Sequence, residues 1–483
     1  MRFLSWTGIG LALALAGCVA GPDYVRPVAP ASANGAFVAT MAAVSTADAA
    51  DDWWRLYRDP VLDRLIADAL TANTDVRMAV ARLARARAAE RESAAARLPD
   101  VEAETSATYG RTSAVDTIPG NARRGRRIDL GLDVGYELDL FGRVSRSVEA
   151  GRDDTAASAA DLDAVRIAVV AETTRAYADA ASALARLQTE TRAIALLDRS
   201  VTIMTHRVGI GLITPLEPAR IAALRDQRRA DVIAIEAERQ AALFRLATLT
   251  GRPPADLPEI AAERSMPLVY DQPIPVGDGA RLLARRPDVR AADRRLAAAT
   301  ARIGVATADL YPRITLGGAL GSTGAGVDDL FGGGPLRWLA GPRISWDVTG
   351  VRARARIGQA QADQREALAA FDKTVLRALE ETETALSDYA HLLARQQALR
   401  AARDQAQRAA DITQAQLREG RVDTLAALDA ERTLVQAQAD VSRVTGRVSD
   451  AQIDLFRALG GRWQDAPLPR AESAGARVWV EQP

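Results

Sequence analysis

Between Arg152 and Val208 the chain holds neither glycine nor proline over 57 residues. Apolar or small residues recur there at threes and fours: Leu162, Val165, Val169, Ala176, Ala180 and Leu184 begin a series that runs to Val208. This spacing predicts one helix of about 85 Å at ~1.5 Å per residue, several times the usual globular length of about 11–12 residues. Just before it, residues 128–140 read Ile-Asp-Leu-Gly-Leu-Asp-Val-Gly-Tyr-Glu-Leu-Asp-Leu. Every even position is apolar or aromatic and every odd one is Asp, Glu or Gly. Side chains alternate faces along a strand, so this is a strand with one apolar and one acidic face. A two-faced strand running into so long a helix restricts the fold more than any other feature.

Composition supports the helical reading and removes several classes of function. Long Gly-free stretches are rich in Ala, Arg, Leu, Gln and Glu, as expected of long helices. The net charge is zero, so nothing points to nucleic acid or another polyanion. Lys373 is the only lysine, a bias we attribute to codon usage. His206 and His391 are the only histidines and Cys18 the only cysteine. Zinc sites, Cys–His nucleophiles and disulfide frameworks are thereby set aside, and no cofactor or metal is expected.

Arg2 precedes an apolar run to Ala16, followed by Gly17-Cys18. A basic start, a short apolar core and small residues mark a secretory signal at 1–17; a spanning helix needs ~20 apolar residues. Residues 18–58 are Pro-rich and then Ala/Ser/Thr-rich, hence extended. They close on Trp53-Trp54, expected to pack on the body.

From Asp59 onward the chain reads as two tandem copies of one unit, at 59–252 and 278–463, joined by a Pro-rich linker at 253–277 and followed by a tail at 464–483. Thr74-Asp75-Val76-Arg77 and Leu98-Pro99 recur 213 residues later as Pro287-Asp288-Val289-Arg290 and Tyr311-Pro312. Strands are expected at 101–111 and 128–140 in the first copy, and at 313–323 and 342–349 in the second. A long helix follows each pair, the second free of Gly and Pro over the 61 residues 359–419. Each breaks at a turn (Gly209 to Glu217; Gly420 to Ala426) and returns as a shorter helix.

Four strands per chain cannot close a barrel, which takes about eight or more. An apolar strand face nevertheless needs lipid or a core against it. The consistent solution is a barrel shared between chains; two, three or four chains would supply eight, twelve or sixteen strands. The helices need neighbours too, since an apolar stripe must be buried along its whole length. The expected fold class is mainly α with a small β part.

With these residues in view, the chain resembles the TolC-like outer-membrane efflux proteins, in their OprM/NodT-type lipoprotein branch. The resemblance is carried by Leu15-Ala16-Gly17-Cys18, Gly21-Pro22-Asp23-Tyr24, Trp53-Trp54 with Asp59-Pro60, Arg285-Arg286-Pro287-Asp288-Val289, Leu310-Tyr311-Pro312, Ser345-Trp346-Asp347 and Leu459-Gly460-Gly461-Arg462-Trp463. It implies a lipidated Cys18 and sorting to the outer membrane. It implies a homotrimer with a shared 12-stranded transmembrane β-barrel on a periplasmic α-barrel of helical hairpins. It also implies a periplasmic adaptor and an inner-membrane pump of RND type as partners, with drugs or other small solutes expelled through the channel.

Position by position, the resemblance places a periplasmic gate at Arg418, Leu425 and Asp429. A Leu425 ring would dewet the mouth, and Arg418 and Asp429 would tie neighbouring tips by weak pairs. Gly209, Gly211, Leu212, Thr214, Gly420 and Val422 fall on the turns expected to dock the adaptor. From the strand pattern itself, Asp129, Asp133, Glu137 and Asp139 share the wet face; in a shared barrel they face the lumen or simply hydrate its wall. The rival readings are a lipid-anchored scaffold without a pore, a periplasmic enzyme and a type I protein-secretion channel. Heavy-metal export is disfavoured, since five Met and two His form no metal-handling cluster.

Overall fold

The computed structural model describes residues 19–28, 30–39, 42–120, 122–331 and 336–461. The expected signal peptide, Cys18 and the 464–483 tail lie outside the described residues. The chain divides into two compact units.

The first unit comprises the described residues up to Pro27 with Leu83–Ala159 and Ala291–Asp372. It holds a four-stranded antiparallel sheet in the order β2-β3-β5-β6: β2 is Asp100–Arg111, β3 Arg124–Leu138, β5 Arg313–Gly324 and β6 Leu336–Ser345. Two hairpins therefore pair through β3 and β5, with Leu132 opposite both Ala103 and Leu320. The β6 strand starts at Leu336, earlier than the expected 342. The stretch up to Gly341 looks turn-rich, yet residues 336–341 already pair with β5. Pro342, expected to open the strand, sits opposite Leu316 inside an edge strand, where a missing N–H is tolerated.

The N-terminal segment is pinned to this unit by its Gly-Pro-Asp-Tyr stretch. Ala20 N–H donates to Phe141 O at 3.0 Å. Arg146 pairs with Asp23 at 2.5 Å, and Tyr24 OH donates to Asp293 at 2.6 Å. Gly21 has φ +88°, and a Cβ there would lie 2.4 Å from the Gly304 Cα, so only glycine allows this backbone approach.

The second unit comprises Val28–Arg82, Ala160–Arg290 and the described residues from Lys373 onward. Its core gathers Leu62, Ile66, Tyr177, Leu246, Leu282 and Phe456, each contributing roughly 1.5–3 kcal/mol by burial. Trp53 stacks on Phe456 with centroids 4.9 Å apart, as the packing expectation requires. Helix α1 (Pro60–Ala72) begins where Asp59 accepts from the Val61 and Leu62 N–H groups, a cap strengthened by proline at the first position. The other Asp59 oxygen accepts from Tyr177 OH at 3.1 Å and Arg264 at 2.7 Å, so one buried carboxylate ties three segments. The strands β1 (Val44–Ser45) and β4 (Ile274–Pro275) pair in parallel and fix the extended segment to the linker.

The remaining helices are α2 (Thr74–Ala95), α3 (Arg143–Gly209), α4 (Leu216–Leu249), α5 (Gly279–Arg285), α6 (Pro287–Ala308), α7 (Val351–Arg418) and α8 (Thr424–Leu459). The order helix, strand, strand, long helix, return helix thus occurs over 74–249 and again over 287–459. At 67 and 68 residues, α3 and α7 start earlier than their Gly-free cores. Gly151 lies inside α3 because the Glu90 backbone and Ser93 pass within 3.5–3.7 Å of where a Cβ would sit, a close approach that offsets glycine's helix penalty. Gly358 lies inside α7 in open space, and no contact explains it.

Candidate channel wall and helical tips

Directly opposed residues of an antiparallel sheet share a face, so the register sorts every side chain. One face carries Val101 and Ala103 from β2, Leu130, Leu132 and Val134 from β3, Leu316 and Leu320 from β5, and Trp338 and Ile344 from β6. It is mainly apolar on all four strands, with Thr105 and Ser322 interrupting it, yet Leu132 is 46% and Trp338 75% exposed. Among the described residues no helix is long and apolar enough to cross a membrane; the uncovered apolar surface belongs to the sheet.

The opposite face is polar. Asp129 pairs with Arg127 at 2.8 Å and accepts from Thr323 at 2.6 Å. Asp133 lies two register positions further down the same face. Glu137, at the strand's foot, grips Arg143 through two bonds of 2.7 and 2.5 Å. Asp139 departs from the expectation. The strand ends at Leu138, and the Asp139 carboxylate accepts from the Val144 and Ser145 N–H groups at 2.9 and 2.7 Å. It caps α3 and does not belong to the strand's wet face. Gly142, three residues on and just before α3, takes φ +78°, and Gly350 before α7 takes φ +60°, so both strand-to-helix corners turn on a left-handed glycine.

At the other end of the long helices each break is a Schellman-type turn. After α3, Leu212 N–H donates to Arg207 O at 3.0 Å around Gly211 at φ +74°. After α7, Arg421 N–H donates to Gln416 O at 2.9 Å around Gly420 at φ +71°. Thr214 donates to Glu217 at 2.7 Å, and this bond holds the Glu217 carboxyl below its usual range. Asp423 caps α8 by accepting from Ala426 N–H at 2.9 Å. Gly209, Gly211, Leu212, Thr214 and Gly420 are exposed and Val422 half-buried. Leu212, with Ile210 and Leu216, makes an exposed apolar knuckle.

Arg418, Leu425 and Asp429 lie on the second tip and all three are exposed. Among the described residues no ion pair joins Arg418 to Asp429; Arg418 reaches back to Gln414 O at 3.4 Å. Leu428, between them, packs onto Leu197, Met204 and Ile221 of the first hairpin.

A buried polar cluster higher up the helices escaped sequence reasoning. Arg228 of α4 lies 3.7 Å from Glu190 of α3, both nearly buried, and donates to Gln436 of α8 at 2.8 Å. Burial raises the Glu190 carboxyl pKa. Three separate helices supply these residues, so no local spacing announces them.

A four-stranded sheet, apolar on one face and polar on the other, in a chain that also carries long helical hairpins, is the make-up of an outer-membrane channel protein. The "Outer membrane efflux protein" family model matches residues 65–252 and 280–461. The chain belongs to that family. It is 32% identical to the outer membrane protein OprJ of Pseudomonas aeruginosa over 94% of this chain and 95% of that one. It is 31% identical to the toluene efflux pump outer membrane protein TtgF of Pseudomonas putida, over 95% and 97%. The structure of the outer-membrane channel OprN matches with a TM-score of 0.85 at 35% identity, covering 92% of this chain and all of that one. The protein is thus the outer-membrane channel of an efflux system.

Proposed function

We propose that three copies assemble into a homotrimer whose sheets join edge to edge as a twelve-stranded barrel. Below it the helical hairpins of two tandem repeats form a periplasmic tube. The observation that carries this reading is the sheet itself: β2 and β6 are free edges on either side of a predominantly apolar face. Free edges and exposed apolar faces are both costly in water. Closure by symmetry in lipid removes both costs. The polar face then lines the lumen with Asp129, Asp133 and Glu137, leaving Asp139 to the helix corner. Cys18, released as the mature N-terminus, carries the lipid anchor.

The tips form the periplasmic end. Leu425 from three chains makes an apolar constriction, and Arg418 and Asp429, unpaired with each other within one chain, meet partners across chains. Such exposed pairs contribute only ~0–1 kcal/mol each, so an adaptor binding the open form slightly better shifts the equilibrium. The turn residues around Gly211 and Gly420, with exposed Leu212 and Thr214 and half-buried Val422, are the docking surface for that adaptor. An inner-membrane pump of RND type completes a tripartite system for drugs or other small solutes.

Planar-bilayer recording tests the gate. Wild-type protein should give small single-channel currents, and Arg418→Ser with Asp429→Ser should raise conductance several-fold. Unchanged conductance would remove the gate assignment and keep the channel; absence of any current from folded protein would favour a scaffold without a pore.

A further inference from the structure

The apolar face of the sheet ends in arginine. At the hairpin end of β2 and β3, Arg111 lies directly opposite Arg124, and Tyr109 directly opposite Arg126. Their register puts all three arginines on the same face as Leu130, Leu132 and Val134. All three are exposed, and among the described residues none makes an ion pair. Like charges directly across a strand pair repel, so the Arg111–Arg124 juxtaposition calls for an anion between them.

The height of this cluster follows from the strand. From Leu138 to Ile128 the apolar face runs about 34 Å at ~3.4 Å per residue. With a strand tilt of about 40° that spans roughly 26 Å, the height of a lipid-facing band. Arg126 and Arg124 therefore stand just beyond the hydrocarbon, at headgroup level. The helices leave from the opposite end of the sheet, so this end is the outer one. The outer leaflet of such a membrane presents phosphorylated glycolipid.

We propose that Arg111, Arg124 and Arg126 form a binding site for the phosphate groups of outer-leaflet glycolipid. The occupant is a membrane lipid, because the site continues the lipid-facing surface and its guanidinium forks match phosphate geometry. Tyr109 supplies the amphipathic ring expected at that depth. The inference rests on the barrel reading above.

The test uses the full-length protein in detergent, with diphosphorylated lipid A and its dephosphorylated form as probes, and lipid retention read by native mass spectrometry. Wild type should bind the phosphorylated form about tenfold or more tightly, given three arginines near an anionic layer. The triple variant Arg111→Gln, Arg124→Gln and Arg126→Gln should lose the preference, while Arg127→Gln on the polar face should keep it. Millimolar inorganic phosphate should not displace the lipid; displacement would assign the site to free phosphate and overturn the proposal. Equal binding of both lipids by wild type, or an undiminished preference in the triple variant, would also overturn it. Insertion into liposomes, measured separately, distinguishes the two failures. Insertion without lipid preference sinks this site alone, whereas failure to insert sinks the barrel reading with it.

Discussion

Single residues carry specific loads in this chain. Asp450 is the clearest case for pH. Burial first, and the neighbouring Asp179 carboxylate second, push its pKa up to about 7. Asp179 is raised as well, mainly by burial. A raised carboxyl pKa means the folded state holds the proton more tightly, so this contribution to stability is complete below pH ~4 and is lost as pH rises through about 7. Asp450→Asn should therefore raise thermal stability at pH 8, by on the order of 1 kcal/mol per chain, with little change at pH 4. Melting curves at the two values check this, and an equal shift at both would contradict it. At the N-terminal segment, Gly21→Ala would drive a Cβ into the Gly304 backbone. Hydrogen exchange over residues 20–26 should accelerate while the second unit's core stays protected. The Arg228–Glu190 pair gives a third expectation. Arg228→Ala leaves a buried carboxylate without its cation and should cost about 3–5 kcal/mol, whereas Arg225→Ala, on an exposed pair, should cost under about 1 kcal/mol; chemical denaturation compares them.

At the scale of elements, the sheet makes the sharpest prediction. Leu132 sits mid-strand on the apolar face, so Leu132→Arg should destabilise the membrane-inserted protein by about 2–4 kcal/mol. Asp133→Arg, one residue away on the other face, should be tolerated and change ion selectivity instead. Unfolding from lipid vesicles distinguishes them, and equal penalties would show that the faces are wrongly assigned. The sequence made this element legible because strand period and face chemistry coincide over residues 128–138. It was less informative where two signals competed. Pro342 reads as the first residue of a strand but lies well inside β6, since an edge strand forgives a missing donor. Asp139 continues the alternation of acidic residues but serves the helix that follows, because a cap five and six residues before its donors has no period of its own. The partners in the Arg228 cluster and the Asp59 hub were not legible: Gln436 lies 208 residues from Arg228 and Tyr177 lies 118 from Asp59, and only the tertiary fold brings them together.

The whole molecule follows from what one chain leaves unsatisfied. Its sheet has two free edges and an apolar face, and its helical tips carry exposed leucine, arginine and aspartate. Each feature is a liability alone, and the closed ring proposed above would give each a role. Family membership says that such chains are outer-membrane channels; the number of chains and the edge-to-edge closure are the central claims to be tested. The most direct measurement pairs single cysteines along β2 (Ala103, Thr105 or Ala107→Cys) with single cysteines along β6 (Trp338, Ala340 or Ile344→Cys). Cys18 is the only native cysteine, and lipidation would occupy it. Oxidation in membranes, followed by denaturing electrophoresis, should give a ladder that ends at three chains for at least one pair in register. A ladder continuing past three, one ending at two, or monomers from every pair would contradict the shared twelve-stranded barrel.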